Sequence, residues 1–183
     1  MQKMKPYTYT LHTLHVVITA FMPVSLPVLS LQAALPYLLI IRGIPGSGKS
    51  TLAQHYMQSI PDAVHCEADH YFINKQGQYC YDGRKIKRAH EFCQQNMRNA
   101  LSQGKSVIVS NTSIRLWELT ALLDIAASYD ITPHIIHCCG QFTSTHHVPA
   151  DIVARMALSY EAHPDETCYK PSFLSYNCNK TEI

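Results

Sequence analysis

From Leu38 to Tyr56 the chain reads LLIIRGIPGSGKSTLAQHY, and no other stretch limits the available folds as strongly. Leu38 to Ile41 form a short apolar run of the kind buried on both faces of a parallel sheet. Gly43-Ile44-Pro45-Gly46-Ser47-Gly48-Lys49-Ser50 follows and satisfies G-x-x-x-x-G-K-[ST] at every position. A helical pattern begins at Lys49. A strand, a glycine turn and a helix in that order build an anion cradle. Glycines admit positive φ, so successive N–H groups can face one phosphate, and the helix directs its N-terminus at the same charge. Gly43, Pro45, Gly46, Ser47 and Gly48 are therefore the expected phosphate loop. Lys49 is expected to reach the β- and γ-phosphates of ATP, Ser50 to offer its hydroxyl to Mg²⁺, and Thr51 to add a second hydroxyl.

Downstream, strand-like and helix-like patterns alternate. The expected strands are Leu38–Ile41, Ala63–Glu67, Lys105–Ser110 and Ile131–Cys139; the expected helices are Lys49–Ser59, Arg84–Gln103, Arg115–Tyr129 and Pro149–Ala162. Such alternation predicts an α/β fold with a parallel sheet flanked by helices, a P-loop three-layer sandwich. At 183 residues and 46% hydrophobic, the chain suits one such domain with a real core. Its expected extent is 37–162. Residues 163–183 show no clear period and read as a C-terminal tail.

Residues 1–36 differ from the rest. Between Lys5 and Arg42 there is no Asp, Glu, Lys or Arg. The apolar run exceeds the ~20 residues that span a bilayer, but Pro23, Pro27, Pro36, His12 and His15 interrupt it, and the signal-peptide cleavage pattern is poor. The segment is read as a poorly ordered extension, a start assigned too far upstream or a membrane-associated stretch, the last not favoured. Seven cysteines, an odd number with no C-x-x-C pair, predict reduced thiols in a cytoplasmic protein. The net charge of +2 does not by itself announce a nucleic-acid partner.

The second strand runs into HCEADHYF. A carboxylate there can accept the proton of an attacking hydroxyl; Asp69 is the candidate, with Glu67 in reserve. Arg84, Lys85, Lys87 and Arg88 lie within five residues, just after Tyr79 and Tyr81. They read either as a solvated helix start or as a seat for a phosphate backbone and a stacked base. In HIIHCC, His137 and Cys139 share one strand face and Cys138 takes the other. The spacing suits no common structural zinc motif, so a buried strand is the simpler reading.

IRGIPGSGKSTLA, EADHYF, AHEFCQQNMRNAL, VIVSNTSIRLWEL and HVPADIVARMALSYE follow one another as they do in the polynucleotide-kinase-like P-loop kinases. The chain resembles that family, within the P-loop NTPase superfamily and its AAA-type ATP-binding members, from about Leu38 to Glu161. The resemblance implies phosphoryl transfer from ATP to a hydroxyl, in the polynucleotide kinases the 5′-OH of RNA or DNA. It implies that Lys49 and Ser50 bind nucleotide, that Asp69 is the general base, and that Asn111 and Thr112 stand near metal and phosphates. The chain also departs from the family. Ser110 and Asn111 stand where relatives end the third strand with an Asp. The loop before Val148 lacks the family's lid arginine, which leaves His146, His147 and Arg155 as candidate cover for the γ-phosphate. The alternatives carried forward are a small-molecule kinase on the same fold and an ATP-binding protein with weak or no catalysis.

Overall fold

β1 (Leu38–Arg42) is buried along its whole length, as its apolar run predicts. In the computed structural model, which describes residues 36–142 and 148–171, it is the middle of a five-stranded sheet. β2 (Val64–Cys66), β3 (Val107–Ser110), β4 (His134–Cys138) and β5 (Glu166–Tyr169) complete the sheet in the order β2-β3-β1-β4-β5. Every neighbouring pair is parallel; Ile40, for example, lies opposite Val109 on one side and Ile135 on the other.

Among the described residues, four helices, α1 (Lys49–Ser59), α2 (Ile86–Ser102), α3 (Leu116–Ser128) and α4 (Ala150–Leu158), connect or follow the strands. Side chains alternate along β1. Leu38 and Ile40 join a core with Ala89, Cys93 and Met97 of α2 and Leu119, Leu122 and Ile125 of α3. The spacing of these residues, three or four apart, is that of one helix face. Leu39 and Ile41 therefore project to the opposite face, the side left for Leu52, Ala53 and Tyr56, which α1 buries. The expected parallel sheet flanked by helices is what forms.

Several boundaries differ from the sequence reading; the strand expected from Ile131, for one, begins at His134. The helix expected from Arg84 opens as a 3₁₀ turn at Gly83–Lys85 before α2 begins. The helix expected to reach Ala162 ends at Leu158. β5 lies past Ala162, in the stretch read as tail; it is short and half exposed, so no apolar run announces it. The readings of residues 1–35, His146 and His147 lie outside the described residues. No helix among the described residues is long and apolar enough to cross a membrane.

Arg42 ties β5 to the centre. Its side chain is fully buried at the end of β1 and pairs with Glu166 at 2.9 Å. Nε donates to the Ser113 carbonyl and Nη2 to the Glu161 carbonyl, while the guanidinium lies 4.4 Å above the Tyr160 ring. A buried guanidinium needs such a full set of acceptors to offset its desolvation.

Candidate active site

The phosphate loop leaves the carboxyl end of β1, the end at which open parallel sheets receive ligands. Gly43 has φ 145° and donates its N–H to the Thr112 carbonyl at 3.0 Å. A Cβ there would meet the Cys138 carbonyl oxygen at 2.5 Å, so the loop could not lie this close with any larger residue. Gly48 caps α1 in the left-handed region, φ 92°, against the ring of Phe142. The segment after β4 straps the loop from outside. Gly140 N and Cys138 Sγ both donate to the Ser47 carbonyl, and Phe142 N donates to the Gly46 carbonyl at 2.8 Å.

Lys49 follows directly and is buried, with Nζ donating to the Ile44 carbonyl at 2.9 Å. Burial lowers its pKa from the ordinary lysine value, against the pull of Glu67, Cys138 and Asp69. An ammonium held this way is poorly solvated, and a phosphate oxygen would supply what water does not. The loop, the helix start and Lys49 therefore suit a nucleotide polyphosphate.

Two carboxylates face the loop from the turn after β2. Glu67 accepts from the Ser50 hydroxyl at 3.0 Å. Its second oxygen lies 3.6 Å from His65 Nε2 and 3.8 Å from His70 Nε2. Burial raises its pKa from the usual carboxylate value, only partly offset by the bond from Ser50. His65 is pushed down to about 4, first by burial and then by His70. Neutral, it pairs with Ser110 Oγ at 2.7 Å. Asp69 sits two residues on, in a 3₁₀ turn, and accepts from the Tyr79 hydroxyl at 3.2 Å. Burial and the Asp69 carboxylate raise the Tyr79 pKa, so this phenol stays a donor. Asn111 holds the acidic turn in place: its Oδ1 accepts from Ala68 N at 2.9 Å and its Nδ2 reaches Cys93 Sγ.

Lys49, Ser50, Glu67, Asp69, Tyr79 and Asn111 line one cleft of about 550 Å³. Of the candidates read from sequence, Pro45, Gly46, Gly48, Lys49, Ser50, Thr51, Asp69, Asn111 and Thr112 are on its wall. Gly43 and Ser47 are loop residues off that wall, tied to its supports through the Gly43 N–H and the Ser47 carbonyl. Arg155 is not on the wall. It pairs with Asp151 at 3.2 Å on the exposed side of α4, while Ile152 and Met156 turn to the cleft. The reason is helical phase: positions 152 and 156 share one face, and 151 and 155 the next. Lys49 is thus the single Lys or Arg on the wall among the described residues.

Glu67, the reserve candidate for the base, is the carboxylate against Ser50. Hard oxygen donors such as this hydroxyl and carboxylate suit Mg²⁺, so the missing acid at the end of β3 has a counterpart at the end of β2. Beyond Asp69 the cleft continues along Tyr79, Tyr81, Ile86 and His90. Tyr79 and Tyr81 lie nearly parallel, 18° apart, with centroids at 6.5 Å, and Tyr81 is 61% exposed. Arg84 and Lys85 are both paired with Asp82.

Residues 38–157 match the family model described as AAA domain. NEDD4-binding protein 2 of Homo sapiens is 39% identical over 84 residues, which are 45% of this chain and 5% of that protein. The uncharacterized protein PM0531 of Pasteurella multocida is 31% identical over 134 residues, 66% of this chain and 74% of that protein. Among solved structures, a chain of the Pnkp1/Rnl/Hen1 complex superposes with a TM-score of 0.50 at 19% identity, covering 81% of this chain and 44% of that one. The Mycobacterium tuberculosis APS kinase in complex with AMPPNP and APS superposes with a TM-score of 0.52 at 13% identity, covering 76% and 91%. The match thus spans a small part of the human relative and under half of the Pnkp1/Rnl/Hen1 chain. At these identities the structural likeness shows the fold, that of P-loop kinases.

Proposed function

The chain belongs to the AAA domain family, and from that premise we propose that it is an ATP-dependent phosphotransferase whose acceptor is the 5′-hydroxyl of a nucleic acid. One observation carries the reading: the phosphate loop with Lys49 and the Asp69 carboxylate open onto the same cleft. The loop N–H groups, the start of α1 and Lys49 bind and orient the polyphosphate. Mg²⁺, held by Ser50 and Glu67, would neutralise charge on the β- and γ-phosphates. Asp69 accepts the proton of the attacking hydroxyl as that oxygen bonds to the γ-phosphorus and the bond to the ADP oxygen breaks. The hydroxyl of Tyr79 orients the carboxylate. Thr51 and Thr112 add hydroxyls along the same wall.

The nucleic-acid acceptor rests on the tyrosine end of the cleft. Two near-parallel phenol rings, one of them well exposed, next to Asp69 offer a stacking platform for a terminal base. Lys87 and Arg88, exposed at the start of α2, are available to a phosphate backbone. A small-molecule acceptor is the second reading, favoured by the single Lys or Arg on the described wall. The same scarcity of cations favours an ATP-binding protein with weak turnover as the third. A cytoplasmic location goes with any of them, since each draws on ATP.

The test is transfer of label from γ-labelled ATP with Mg²⁺ to 5′-hydroxyl RNA and DNA. Label on the oligonucleotide, lost in Lys49→Ala, is the expected result. Stoichiometric ATP binding with no label on either polymer overturns the nucleic-acid acceptor. Label then passing to a small hydroxyl compound would select the second reading, and none passing would select the third.

A further inference from the structure

β5 brings a third soft donor to a pair that the sequence leaves one ligand short. His137 pairs in register with Cys168 across β4 and β5, so the two project on one face. Cys139, two residues past His137, projects there too. Cys138 takes the opposite face, where its thiol donates to the Ser47 carbonyl. One donor atom from each of His137, Cys139 and Cys168 lies within 4.8 Å of the other two. The imidazole is already held. It stacks on Tyr160 with centroids 3.9 Å apart, and its Nδ1 lies 3.6 Å from a Glu166 oxygen. A carboxylate beside a ligating imidazole is the usual means of fixing its ring.

We propose that His137, Cys139 and Cys168 form a binding site for a thiophilic dication, zinc(II), with a fourth position open to water. Two thiolates and an imidazole are a soft donor set that selects zinc over magnesium. Binding releases two protons: Zn²⁺ replaces the hydrogens of both thiols, and no electrons move. The two sulfurs are 2.6 Å apart, closer than the roughly 3.8 Å expected of two thiolates on one tetrahedral zinc. Cys168 is exposed, so rotation about its χ1 can open the pair without moving a strand. None of the three residues lines the ATP cleft, so the site does not depend on the kinase reading. Bound metal would pin β5 to the end of β4, immediately before the residues that strap the phosphate loop.

The rival is a dithiol pair that oxidises to a disulfide, and one titration separates them. The full chain is reduced with a phosphine, freed of reductant and titrated with Co²⁺, then Zn²⁺. A sulfur-to-cobalt charge-transfer band that saturates at one equivalent and is bleached by zinc is expected. Cys168→Ser, at an exposed position, and Cys139→Ser should abolish the band and weaken zinc binding by at least about 100-fold. His137→Gln should weaken binding while keeping a thiolate band. Cys80→Ser, an exposed cysteine elsewhere, should change nothing. The other cluster of candidate ligands among the described residues, His65, Glu67 and His70, contains no sulfur and cannot produce this band. The proposal is overturned if reduced protein shows no thiolate band, or if the band survives in Cys168→Ser. A two-hydrogen mass loss on air oxidation, with no metal bound after reduction, assigns the pair to the rival.

Discussion

His65 stands where a positive charge is costly. It is mostly buried beside His70, and its pKa falls from 6.5 to about 4. Between these values the unfolded chain binds a proton that the folded chain refuses, so stability rises with pH across that window and is lost as pH falls through it. The full effect is up to about 3 kcal/mol at the low end. We predict that His65→Gln flattens the stability profile between pH 6.5 and 4.5, read from urea midpoints. An unchanged slope would mean that His65 charges freely in the folded protein. The phosphate loop is legible because its backbone geometry is written in eight consecutive positions. Glu67 gains its place from Ser50, 17 residues away, and nothing in EADHYF says which of its two acids turns to that hydroxyl.

At the scale of elements, β5 is held less by its own sequence than by Arg42. Glu-Thr-Cys-Tyr has no apolar run, and its middle residues are exposed, so its strand character comes from pairing with β4. Arg42 supplies the fastening through Glu166, Glu161 and Ser113. Removing the guanidinium leaves the Glu166 carboxylate buried without its cation, which costs about 3–5 kcal/mol. We predict that Arg42→Met lowers stability by that amount in urea unfolding. A loss below about 1 kcal/mol would show that the pair contributes little. β1, β3, β4 and α1 to α3 were legible because each carries buried apolar residues. β5 was not, because an edge strand needs none. The end of α4 was misread because the pattern runs on past Leu158 while the backbone turns, with Ser159 N returning to the carbonyls of Arg155 and Met156.

At the scale of the whole molecule, the cleft draws on the loop after β1, the turn after β2, the end of β3, the strap after β4 and one face of α4. Strand order makes these segments neighbours, and no local pattern carries that order. The pairing of the phosphate loop with Asp69 was nevertheless anticipated, through the ordered set of motifs. Arg155 was misassigned because helical phase against the cleft cannot be read without the packing. The tyrosine end supplies a test of the acceptor. If bases stack there, Tyr81→Ala weakens single-stranded oligonucleotide binding about tenfold, within the ~1–3 kcal/mol of one base–aromatic contact, and leaves ATP affinity unchanged. Equal binding by both proteins would remove the platform from the account.

We propose that one cleft divides two tasks, nucleotide binding by the phosphate loop and proton acceptance by Asp69. The most direct measurement is ATP affinity and phosphoryl transfer compared across wild type, Lys49→Ala and Asp69→Ala. Asp69→Ala should bind ATP nearly as wild type does while transfer falls by about 10²–10⁴-fold, and Lys49→Ala should lose both. Transfer at the wild-type rate in Asp69→Ala would show that Asp69 is not the proton acceptor.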